Sequence, residues 1–348
     1  MVEVSNMQNG TATSHYHGLT MSALLLLGVV LFVALLFWGT VEIPADAVWG
    51  VLCGRRDANS VYEAIVLGVR LPMAVAALAA GGSLAGAGLL LQTTFANPLA
   101  GPSILGVSTG ASLGVAVVML GFGGMLGYGM AQYLGALLGA LLGALVVLGV
   151  LLAFSAFIRS SAMLLIFGIL VGYLASSGIS LLNFFSTQQG VHSYVIWGMG
   201  SFAGVSPIGV FWLLITSLAG FVAALMCVKP LNALLLGDRY AESMGVSVRR
   251  TRNWLLAISG IQTAAVTAFC GPIAFLGLVM PHVARMLFRT SNHRVLLPAT
   301  AISGAVGAML CALISVTFGS GGIIPINALT PIIAIPIVIY ILIKRRKL

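Results

Sequence analysis

Ten apolar stretches run through this chain, at about 19–39, 68–93, 103–121, 130–157, 162–184, 206–228, 253–271, 273–289, 296–317 and 327–343, each near the ~20 residues that a helix needs to cross a bilayer core. Their Lys and Arg keep towards the ends, as Arg70 does in the second and Arg289 in the eighth. Backbone N–H and C=O groups in hydrocarbon must be satisfied within the chain, and a helix does this segment by segment. The expected fold class is all-α: a polytopic membrane protein of about ten transmembrane helices, with short helices in the loop between spans six and seven. With 60% hydrophobic and 7% charged residues in 348, no sizeable soluble domain remains.

The charges fix an orientation. If the N-terminus is inside and the spans alternate, thirteen of the sixteen Lys and Arg fall on the cytoplasmic side, leaving Arg55, Arg56 and Arg70 outside. An even span count then puts both termini in the cytoplasm. The expected layout is a tail over 1–18, one transmembrane unit over 19–343 that includes a cytoplasmic segment at 229–252, and a basic tail over 344–348. No small-residue cleavage site follows the first apolar run, which reads as a retained span. Glycines at helical spacing, Gly106, Gly110 and Gly114 or Gly135, Gly139 and Gly143, mark close helix packing within a bundle. The four cysteines are scattered singly without a C-x-x-C pair, as packing residues are, so neither a metal nor another cofactor is expected. The +9 net charge is spread in short clusters between apolar runs, which argues against a nucleic-acid partner.

Polar residues at membrane depth are neutral, among them Gln92, Asn183 and Gln262. Proton and ion pathways ordinarily place ionisable groups there, so ion coupling is disfavoured, although sodium sites built from carbonyls stay open. Lys229, Lys344 and Lys347 lack the Gly-rich run of a phosphate-binding loop, and no catalytic cluster lies at membrane depth. An active transporter built this way takes its energy from another chain.

The longest cytoplasmic segment, Lys229 to Arg252, is neither a turn nor a span. Pro230 is expected to stop the preceding helix, Gly237 to break the short apolar turn Leu231–Leu236, and Asp238 to N-cap a helix Arg239–Met244 with Gly245 as its left-handed C′ residue. Exposed Leu235, Tyr240 and Met244 would make a knob for a groove on a soluble partner. An interfacial anchor for the bundle is the alternative.

Four blocks resemble the FecCD-type permeases of binding-protein-dependent ABC importers for iron chelates, haem and vitamin B12. They are RLPMAVAALAAGGSLAGAGLLLQTTFANPLAGPSILGVSTGAS from Arg70, LGDRYAESMGV from Leu236, GPIAFLGLVMPHVARML from Gly271, and LLP at Pro298 followed by Pro325, Thr330 and Pro336. The resemblance implies a permease without an ATPase site of its own, paired with a second permease copy or a paralogue. It would bind two ATP-binding cassette subunits and receive an iron chelate, ferric siderophore or haem, from an extracytoplasmic binding protein. Cobalamin or an oxyanion is the alternative cargo, and an ion-coupled carrier or channel the competing class. Leu236, Gly237, Asp238, Arg239, Ala241, Glu242 and Gly245 would form the ATPase-coupling knob. Gln92, Asn97, Pro98, Gly101, Pro281 and His282 would line the pathway or its gate. For Asn97, Pro98 and Gly101 a tight inner turn is the simpler role, and for His282 capping or packing, because a lone imidazole makes a poor metal site. Arg70 at the outer mouth would dock the binding protein or snorkel. The chain departs from the family pattern at Met73, Ala312 and Val316, where charges are usual, and Arg55 and Arg56 are candidates to replace them.

Overall fold

Small residues decide how these helices assemble. The computed structural model describes residues 2–54, 60–122, 129–158, 160–318 and 322–345, and within them all regular structure is helical. In chain order the elements are α1 (Val2–Phe37), α2 (Ala45–Leu52), α3 (Ser60–Ile65), α4 (Leu71–Thr94), α5 (Val107–Ala116), α6 (Met130–Ser155), α7 (Ser161–Phe185) and α8 (Gln188–Gly198). There follow α9 (Pro207–Met226), α10 (Val228–Leu234), α11 (Asp238–Ser243), α12 (Val248–Cys270), α13 (Leu276–Phe288), α14 (His293–Thr317) and α15 (Ile326–Arg345). Among the described residues seven helices are long and apolar enough to cross a membrane, and three shorter apolar ones span Val107–Gly121, Leu276–Phe288 and Ile326–Tyr340. Together they coincide with the ten stretches seen in the sequence. The expected tail over 1–18 is different: α1 is helical from Val2 and runs without a break into the first span.

α4 is the axis of the molecule. Nearly all of its residues are buried, and it packs against α14, α12, α13, α9 and α1. Ala and Gly make that possible. A Cβ on Gly81 would stand 2.3 Å from the carbonyl oxygen of Gly304, and one on Gly88 only 1.7 Å from that of Gly277, so α14 and α13 touch α4 backbone to backbone. A second interlocked pair is α5 with α6, where a Cβ on Gly114 would meet the Gly139 oxygen at 1.9 Å and one on Gly143 the Gly110 oxygen at 2.1 Å. The glycine spacing expected to mark close packing thus does so within the chain.

α12 ends at Gly271, and the chain passes through irregular backbone to Phe275, whose φ is 65°, before α13 starts. Asn327 stitches this break. Its Oδ1 accepts from the Ala274 N–H at 3.0 Å, while its Nδ2 donates to the carbonyls of Pro272 at 2.6 Å and Gly198 at 3.1 Å. Non-helical backbone inside a membrane bundle persists only where such partners exist.

Candidate coupling face and pathway

The ends of α4, α10, α11, α13 and α14 meet on one side of the molecule. α9 stops at Cys227 and the chain turns into α10. Pro230 therefore does not end α9: it lies in the first turn of the new helix, where a missing N–H leaves no hydrogen bond unmade. Leu236 and Gly237 donate back to Ala233 and Leu234, and Gly237 then takes φ 98° and ψ 157°, a conformation open essentially to glycine alone. The next helix opens on Asp238 itself. Gly237 is the N-cap and Asp238 the first helical residue, one position later than its expected capping role, where its carboxylate still complements the positive helix end.

α11 closes as the sequence indicates. Gly245, at φ 82°, donates to the Glu242 carbonyl at 2.9 Å and Val246 to that of Ala241 at 3.0 Å, a paired C-terminal cap that requires the left-handed residue. Ala241 is fully buried and anchors the helix. Leu235, Leu236, Tyr240 and Met244 stay exposed, Leu236 by 62%. Four large apolar side chains held outward by two glycine-dependent turns form a projecting, rigid patch. Behind it a hollow of about 790 Å³ separates Asp238 and Tyr240 from Thr93 and Thr94 of α4 and from Ser160 and Ser161 before and at the start of α7.

The expected pathway residues are drawn together at the inner end of α4. Gln92 Nε2 donates to the Leu278 carbonyl at 3.0 Å, and Arg285 Nη1 donates to Gln92 Oε1 at 2.6 Å, which ties α4 to α13 twice. His282 is buried, with Nε2 2.8 Å from the Pro98 carbonyl, a contact that ties α13 to the 95–102 turn. Pro281 lies beside it within α13. α4 itself ends in a paired cap, with Ala96 N–H donating to Thr93 O at 3.2 Å and Asn97 N–H to Gln92 O at 3.1 Å. Ala96 occupies the left-handed position, φ 44°, that usually holds glycine. Asn97 Oδ1 accepts from the Leu99 N–H at 2.9 Å, an Asx turn, and Gly101 lies against Leu278. Pro98, Asn97 and Gly101 thus form a tight turn locked onto α13.

At the opposite end Arg70 is buried. Its Nη1 donates to the carbonyls of Leu36 at 2.9 Å and Phe37 at 2.8 Å, and its Nη2 to Val41 at 2.5 Å. The first two are groups that the C-terminus of α1 would otherwise leave unpaired, and Val41 lies in the chain just beyond it. Within the chain this guanidinium caps the end of α1. A Cβ on Gly39 would come within 2.9 Å of its Nε. Arg55 and Arg56 lie outside the described residues. Met73, Ala312 and Val316 are all buried in one apolar cluster. Packed hydrophobics at such a place are commonly as stable as a buried charge network.

One further polar cluster gave no signal in sequence. His293 is fully buried at the start of α14, between Asn232 of α10 and Thr93 of α4. These partners lie 61 and 200 positions away along the chain, a separation that hides the cluster until the fold brings it together.

Residues 25–344 match the FecCD transport family. The chain belongs to that family. It is 34% identical over 285 residues to the vitamin B12 import system permease protein BtuC of Salmonella paratyphi A, covering 81% of this chain and 84% of the relative, and equally so to that of Salmonella typhi. A solved structure described as the inward-facing conformation of a metal-chelate type ABC transporter superposes with a TM-score of 0.81 at 30% identity, covering 93% of this chain and 98% of the other. This FecCD chain is therefore an ABC importer permease, a multi-pass protein of the inner membrane. The Leu-Gly-Asp block from Leu236 falls on the turn between α10 and α11 and the start of α11, and the Gly-Pro-Ile block from Gly271 on the backbone break that Asn327 holds.

Proposed function

We propose that this chain is the pathway subunit through which a bulky metal chelate enters the cell, driven by ATP hydrolysed on two separate subunits docked at α10–α11. The observation that carries the reading is the outward patch of Leu235, Leu236, Tyr240 and Met244 held between Gly237 and Gly245. Leu236, Gly237, Asp238, Arg239, Ala241, Glu242 and Gly245 form or support that contact, within a coupling segment that spans 229–252. A carrier driven by an ion gradient has no use for it, and the neutral side chains at membrane depth supply no relay for such an ion.

The cargo follows from two lines. The Salmonella relatives are named for vitamin B12 and the superposing structure for a metal chelate, which makes a cobalt corrinoid the first candidate and an iron chelate, siderophore or haem, the second. α7 supports a pathway for either. Its outer half turns Tyr173, Ser176, Ser177 and Ser180 outward on one face, a strip more polar than lipid chains favour although the Ser180 hydroxyl donates back to the Ser176 carbonyl at 3.1 Å. A second permease copy facing α7 would enclose them in an aqueous route with weakly interacting walls, open outward to an extracytoplasmic binding protein. Liposomes containing the chain with its ATPase subunits and binding protein test this. ATP-dependent accumulation of cobalamin, or of ferric siderophore or haem in its place, is expected. Uptake that proceeds without nucleotide and follows an ion gradient would overturn the assignment.

A further inference from the structure

Two consecutive residues at the inner end of α4 hold different parts of the molecule: Gln92 holds α13 through Leu278 and Arg285, and Thr93 holds His293. His293 in turn is bound to α10, the first helix of the coupling segment. The Asn232 Oδ1 accepts both the backbone N–H of His293 and its ring, each at 2.9 Å, and Asn232 Nδ2 donates to Asn292 Oδ1 at 3.0 Å. The backbone donor fixes which Asn232 atom is oxygen. Nδ1 of the ring therefore carries the proton, and Nε2 offers a lone pair to Thr93 Oγ1 at 2.9 Å.

The Thr93 hydroxyl has one proton and two acceptors in reach, His293 Nε2 and the Leu89 carbonyl of its own helix at 3.0 Å. Rotation about one bond shifts the proton from the inter-helix partner to the intra-helix one. Thr93 thus can release α14 and α10 while staying hydrogen-bonded itself, the cost falling on the buried His293 Nε2, which loses its donor. The linkage is a releasable latch and not a rivet.

We propose that the chain Asn232–His293–Thr93 is the link by which movement of the coupling segment reaches α4, and through Gln92 and Arg285 the inner end of α13 and the 95–102 turn. His293 and Thr93 are positioning residues for transport and touch no cargo. The inference rests on the reading of α10–α11 as the ATPase contact. Its ligand-free test is hydrogen exchange of the full chain assembled with its ATPase subunits in nanodiscs, nucleotide-free against ATP with vanadate. In the unmodified complex, nucleotide should change exchange both at residues 236–246, the input, and at 95–104, the output. Thr93→Val keeps the shape and deletes the proton. It should retain the input change and diminish the output change by about threefold or more, while Thr93→Ser restores it. If Thr93→Val matches the unmodified chain at both segments, or loses both together, the link is overturned, the latter marking a general structural defect. If the unmodified complex shows no nucleotide-dependent change at 236–246, the coupling reading itself fails, a result distinct from failure of the latch.

Discussion

Gly237 and Gly245 show how a single backbone angle can set a function. A Cβ on Gly237 would have nothing within 4 Å, so Gly237→Ala tests conformation alone. Holding alanine at φ 98° and ψ 157° costs about 1–3 kcal/mol, and the cheaper escape is to let α11 reorient. The variant should reach the membrane in normal amounts yet lose about fivefold or more in affinity for the ATPase subunits, measured by titration of the purified permease. Ala96 presents the reverse case, an alanine where glycine would be easier. Ala96→Gly removes about 1 kcal/mol of left-handed strain, and the thermal midpoint in detergent should rise by a few degrees if that strain is not recovered elsewhere. Gly245 was legible in sequence because a short apolar and polar pattern ended there. The start of α11 was misplaced by one residue because Asp is a good cap, and nothing in the letters shows that Gly237 adopts an angle that fills that role. The orientation of Arg70 was also hidden, since sequence shows a charge at a span end but not the helix end beside it.

Helices meet here by backbone contact, and that makes their glycines unequal. Gly88 abuts Gly277 so closely that Gly88→Ala must push α13 away from α4, whereas a methyl added to Gly149 on α6 would have nothing within 4 Å. Gly88→Ala should cost about 1–3 kcal/mol or more through overpacking. Gly149→Ala should be neutral or gain up to about 1 kcal/mol from helix propensity. Thermal unfolding of the two purified variants in one detergent decides this; equal midpoints would mean that α13 yields freely. Arg70→Lys extends the same reasoning to the other end, because an ammonium cannot reproduce a fork spanning three carbonyls. Faster hydrogen exchange at residues 34–43 is the expected result. The ten spans and their small-residue faces were readable because apolar length and glycine period are local properties. The three short spans were readable as apolar runs, but not their lengths: the Gly271–Phe275 break and its repair by Asn327 depend on a residue more than fifty positions away.

On the proposed reading the pathway runs along an outer face of the molecule. α4 lies at the centre of the bundle, packed against α14, α12, α13, α9 and α1, with a mostly apolar hollow of about 820 Å³ beside it that Leu78, Gly82, Ser83 and Gly86 line. α7 presents hydroxyls outward, with Tyr173 and Ser177 turned to the side away from α5 and Ser180 beside them bonded back to the Ser176 carbonyl. A route bounded on one side by α7 would need another protein to close it, and a second permease copy would supply a face of matching length. A bulky side chain placed on that face should therefore obstruct cargo without touching the coupling apparatus. Ser177→Trp is expected to lower ATP-driven uptake about tenfold or more while the ATPase activity of the assembled complex stays within about twofold of the unmodified chain. Leu142→Trp, on the exposed side of α6, is the control for crowding at a lipid-facing position and should alter neither quantity by more than about twofold. If the two variants exchange behaviours, the route runs along α6 and the second copy must sit there. If Ser177→Trp abolishes ATPase activity and uptake alike, α7 serves assembly and does not line the path.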